Sequence, residues 1–121
     1  MTLDEKNTLI EAGMDVDSAL GRFMGNEALL EKFIKKFLSD KCYNDLLEAV
    51  NNKDNDSAFR ASHTLKGVAA NFSFDNLKNA ASDQCECFRA NKTDEGIDLM
   101  NQVSSEYEKI KAAIIKLYGD V

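Results

Sequence analysis

Apolar residues recur at intervals of three and four along most of this chain. In EALLEKFIKKFLSD, Leu29, Leu30, Phe33, Ile34, Phe37 and Leu38 keep a helical period, which gathers such positions on one face. Asn26, just before them, is a suitable N-cap. CYNDLLEAVNN adds Tyr43, Leu46, Leu47 and Val50 and is expected to continue this helix with a bend. The polar cluster from Asn51 to Asp56 reads as the clearest loop, with Asn55 or Asp56 capping SAFRASHTLKGVAANF. Ser73 to Asp75 make a turn, and Asp75 caps NLKNAASDQCECFRA. After NKTD, one long helix is expected from about Asp94 to Tyr118, with Ile97, Met100, Val103, Tyr107, Ile110, Ile114 and Leu117 on one stripe.

The N-terminal quarter has the same punctuation in shorter units. Thr2 and Glu5 form a capping box, and Gly13 stops that helix. Asp15 or Asp17 begins a second short helix that ends near Gly25. No segment alternates apolar and polar residues over a useful length, so strands are not expected. The pattern predicts an all-α fold: an antiparallel four-helix bundle with one or two short additional N-terminal helices. With no linker or repeat, residues 1–121 are expected to form a single domain.

Composition narrows the partners. The 121 residues contain no proline and only six glycines, and the net charge is −6. A polyanion is repelled on average, which argues against nucleic acid and anionic membranes. No apolar stretch approaches the roughly 20 residues needed to span a bilayer, and the acidic start MTLDEKNTLIEAG is not a signal peptide. Three cysteines without framework spacing read as free thiols in a cytoplasmic protein. Cys85 and Cys87 point some 200° apart on a helix, and one histidine is too few for a di-iron bundle. No metal is expected. Without a spare apolar helix face, a monomer is expected.

The one histidine marks the candidate site. On a helical wheel, Ala58, Ala61, Leu65, Val68, Ala69 and Phe72 fall on one arc, and His63 falls opposite its middle. Phe59, Arg60, Lys66, Gly67 and Ala70 are its neighbours on the open face. Glycine costs an exposed helix roughly 1 kcal/mol relative to alanine, yet Gly67 sits four residues after His63. A missing side chain there lets another protein's backbone approach the ring. Lys66 supplies a counter-charge for a phosphoryl group. From Ser57 to Phe74 there is no Asp or Glu, although the chain carries 21; uniform placement would put about three there. Imidazole, with a reference pKa of about 6.5, offers an unprotonated nitrogen near neutral pH and can carry a phosphoryl group reversibly.

HTLKGVAAN, preceded in register by GMDVDSALGRFMGNEALLEKFIKKF, resembles the signature of histidine-containing phosphotransfer (HPt) domains of two-component phosphorelays. The resemblance runs from about Gly13 to Phe88. It implies a four-helix bundle that moves phosphoryl groups between receiver-domain aspartates of response regulators or hybrid histidine kinases. By position, His63 is the phosphoacceptor, Lys66 its charge partner and Gly67 the clearance for the receiver. Phe59, Thr64 and Ala70 are candidate partner contacts. The implied domain needs no cofactor of its own, because Mg2+ belongs to the receiver, which supplies most of the catalysis. Two positions depart from the family pattern. Ser73 stands after Phe72 where the family commonly has glycine. A glutamine that some members place near the phosphorylation site aligns with Cys85, one residue after Gln84. Gln84 is a candidate for that role, against the alternative of a glutamine bonded at the bundle seam. A different class of function, a helical module that docks receivers without chemistry, stays open at this point.

Overall fold

The computed structural model describes residues 1–119. Eight helices follow in chain order: α1 (Leu3–Glu11), α2 (Val16–Arg22), α3 (Glu27–Phe37), α4 (Cys42–Asn51), α5 (Asn55–Asn71), α6 (Asp75–Arg89), α7 (Thr93–Asp98) and α8 (Met100–Tyr118). Four antiparallel arms close a ring: α3 with α4, then α5, then α6, then α7 with α8, which returns to α3. The expected four-helix bundle is thus present, with α1 and α2 as the additional N-terminal helices. One continuous apolar core runs through it, from Leu9 to Ile114.

Side-chain caps set half of the helix starts. Thr2 and Glu5 exchange two bonds of 3.2 Å as a capping box. The Asp15 carboxylate accepts from the Ser18 amide, and the Asn26 amide oxygen accepts from the Leu29 amide. Each such cap satisfies an amide that the helix itself leaves without a partner. At α5 the cap is Asp54, not Asn55 or Asp56. Its carboxylate accepts from the Ser57 hydroxyl at 2.8 Å and amide at 3.2 Å. Those two bonds hold its pKa below the usual carboxylate value. Asp75 likewise proves to be the first residue of α6 rather than its cap.

The two long arms break where continuous helix was expected, and each break has a side-chain cause. Between α3 and α4 the Asp40 carboxylate accepts from the Cys42 amide at 2.8 Å. A short acidic side chain thereby competes with the backbone ladder and starts a separate helix instead of a bend. Burial, reinforced by Asp40, pushes the Cys42 thiol up to about 12. Between α7 and α8, Gln84 Nε2 donates to the Gly96 carbonyl at 3.1 Å and to Met100 Sδ at 3.3 Å. That carbonyl is the acceptor Met100 would use in an unbroken helix, so the arm steps at Leu99.

The α5–α6 turn resolves the Ser73 departure. Ser73 has φ +53, the left-handed conformation that glycine adopts at least cost. Its carbonyl accepts from the Asp15 amide at 2.8 Å, its hydroxyl meets the Ser18 hydroxyl at 3.1 Å, and the Phe74 amide bonds Ala69. These contacts hold a serine where the family pattern has glycine. Gly13 completes the same corner: with φ +98, any Cβ there would lie 2.8 Å from Asn76 Nδ2. Leu3 and Ile10 on α1 and Ile115 on α8 are exposed apolar residues.

Gly96 is fully packed, and a Cβ at this position would overlap the Phe88 ring. Gly96→Ala should lower stability by about 1–3 kcal/mol through overpacking, read as a lower urea midpoint. An unchanged midpoint would show that Phe88 yields freely.

Candidate functional site: the open face of α5

Helix α5 is sorted by solvent as the wheel requires. Ala58, Ala61, Leu65, Ala69 and Phe72 are buried, and Val68 is half-buried. Burying a leucine such as Leu65 contributes roughly 1.5–3 kcal/mol, so the helix cannot rotate without losing its anchor. Opposite that stripe, His63, Thr64, Arg60 and Gly67 are exposed, whereas Lys66 and Ala70 are half-buried. Among the described residues no group hydrogen-bonds the imidazole, which leaves both ring nitrogens open to solvent. Lys66 makes no ion pair among those residues. Its ammonium is therefore available one turn from the ring.

The hydroxyls on either side of His63 are tied to the helix. Ser62 donates to the Phe59 carbonyl and Thr64 to the Arg60 carbonyl, each at 3.0 Å. Both are turned to the backbone and offer no free donor to an adduct on the ring. Phe59 lies beside His63, ring centres 6.2 Å apart. Arg89 of α6 also lies over the Phe59 ring, the guanidinium carbon 5.0 Å from the ring centre. Of the N-terminal helices, α1 packs against α8 and α2 against α3. Sequence reading missed Arg89; no helical wheel of α5 contains it, because it arrives from the next helix.

Gln84 leaves the candidate set. It is fully buried; its Nε2 is spent on Gly96 and Met100, and its Oε1 has no partner among the described residues. The position that points it inward also removes it from the face of His63. A Cβ at Gly67 would find nothing within 4 Å, as at Gly21 and Gly25. A shallow groove of about 230 Å³ between α4 and α5, lined by Cys42, Asp45, Ser57, Arg60, Ala61 and Thr64, runs alongside. Small-molecule sites usually measure about 300–1,000 Å³, more than this groove holds.

The family model of the Hpt domain matches residues 28–113, and the chain belongs to that family. No curated protein and no solved structure matches it. No group of three or more His, Cys, Asp or Glu among the described residues could hold a metal, and all three cysteines are free thiols. No described helix is long and apolar enough to cross a membrane.

With open space around it, Gly67→Ala should raise stability by up to about 1 kcal/mol, the helix-propensity difference between the two residues. Urea unfolding checks this. A loss of stability would mean that the glycine serves the fold rather than access.

Proposed function

We propose that this chain is a phosphoryl carrier in a phosphorelay. His63 accepts a phosphoryl group from the aspartyl phosphate of a receiver domain, or from a sensor kinase, and passes it to the aspartate of a response regulator. The observation that carries this reading is an exposed imidazole with no hydrogen-bond partner among the described residues, on the same helix as an exposed Gly67 whose Cβ position is empty. Membership of the Hpt family supports it.

The chemistry is a displacement at phosphorus. The lone pair of an unprotonated ring nitrogen attacks, the N–P bond forms, and the P–O bond to the aspartate breaks. That bonding pair leaves on the carboxylate oxygen, while the other ring nitrogen keeps its proton. The reverse displacement on a second receiver restores the neutral ring. Lys66 offsets the dianionic charge of the adduct, and Gly67 admits the partner's backbone. Phe59, Thr64 and Ala70 border the contact. Mg2+ bound by the receiver supplies the stabilisation of the transferring group that this chain lacks, so autonomous catalysis is not proposed. Unpaired cysteines suit a reducing cytoplasm.

The test uses a receiver domain charged with labelled acetyl phosphate. Wild-type chain should acquire acid-labile, base-stable label, and His63→Gln none. Equal label on His63→Gln would overturn the assignment. Tight receiver binding with no label on either form would replace the carrier with a docking module.

A further inference from the structure

His63 is exposed on α5, and among the described residues its ring has one aromatic neighbour and no hydrogen-bond partner. That neighbour is Phe59, one turn earlier, with ring centres 6.2 Å apart and planes tilted by 51°. Tilted aromatic pairs attract over about 4.5–7 Å. Helical side chains lean toward the N-terminus of their helix, so a leaning His63 settles over the turn that carries Phe59. Gly67, four residues on, has no side chain to lean onto the ring from behind.

Phe59 is itself held in place. It is half-buried and packs against the apolar core. Arg89 of α6 covers its ring, the guanidinium carbon 5.0 Å from the centre. The hydroxyls that flank His63 do not replace it, because Ser62 and Thr64 are spent on the carbonyls of Phe59 and Arg60.

We propose that Phe59 is a positioning residue for the transfer: its ring selects one rotamer of the imidazole and takes the place of the hydrogen bond that His63 lacks. The proposal rests on the reading of His63 as acceptor. Helical side chains choose mainly between χ1 of about 180° and about −60°. An exposed imidazole without contacts populates both, and the two carry the ring to different places. Contact with Phe59 favours the rotamer that lies against it. The nucleophilic nitrogen then waits in one position and need not be aligned anew at each encounter with a partner.

The experiment first reads the free, full chain. Three-bond NMR couplings of His63 should show one dominant χ1 rotamer in the wild type, averaged populations in Phe59→Ala, and the wild-type pattern again in Phe59→Tyr. Transfer from a phosphorylated receiver domain is then followed over a range of receiver concentrations. The maximal rate of Phe59→Ala should fall about twofold to tenfold, the span of an aromatic pair. Phe59→Tyr should recover it, and the half-saturating receiver concentration should hardly change. Phe59→Leu keeps apolar bulk against the core, so it should fold as the wild type does and still show averaged couplings. Identical rotamer populations in the wild type and Phe59→Leu overturn the proposal. A loss confined to the half-saturating concentration also overturns it and makes Phe59 a docking contact only. In both cases label on His63 leaves the carrier reading standing. A wild-type chain that takes no label on His63 overturns both.

Discussion

The apolar stripe of α5 must stay dry, and much else in the molecule depends on that constraint. Leu65 is fully buried between the flanking arms, with Ala58, Ala61 and Ala69 packed above and below it. The small alanines let α4 and α6 pack closely against α5, while the leucine supplies the anchor. Because the period is 3.6 residues, fixing Leu65 inward fixes His63 outward. No dedicated support is needed to turn the imidazole outward. The same packing that stabilises the bundle aims the imidazole at solvent, and Gly67 is exposed with it.

The ends of the helices carry the second layer of organisation. Ser73 in its left-handed turn and Gly13 against Asn76 lock the N-terminal segment onto the α5–α6 corner. At the opposite end of α5, Asn55 locks the α6–α7 turn. Between these two locks the open face is held at both ends, and its chemistry-bearing residues sit on regular helix rather than on loops. For the transfer proposed for this face this matters, because a misplaced acceptor would forfeit the alignment on which displacement at phosphorus depends.

Much of this was legible in the chain itself, for physical reasons. Helical periodicity and polar caps are local properties, so the arms, the Thr2, Asp15 and Asn26 caps and the outward histidine could be read directly. The breaks could not. The step at Leu99 depends on a bond from Gln84 to Gly96, twelve residues apart in sequence and on different helices. The separation of α3 from α4 turns on which partner the Asp40 side chain chooses. Arg89 escaped for the same reason: its relation to Phe59 exists only once α5 and α6 pack. Gln84 follows the alternative reading, a glutamine bonded at the bundle seam, and burial gives it that structural task.

The central claim is that α5 exposes His63 beside a deliberate gap through which a receiver reaches it. Gly67→Gln tests this most directly, because the open space lets the variant fold while its side chain fills the gap. Two rates are compared: labelling by phosphoramidate, which is small, and labelling by a phosphorylated receiver domain, which must dock. The account predicts a roughly unchanged first rate and a fall of about tenfold or more in the second, equivalent to about 1.4 kcal/mol of transition-state stabilisation. Equal receiver-dependent rates for Gly67→Gln and wild type would contradict it.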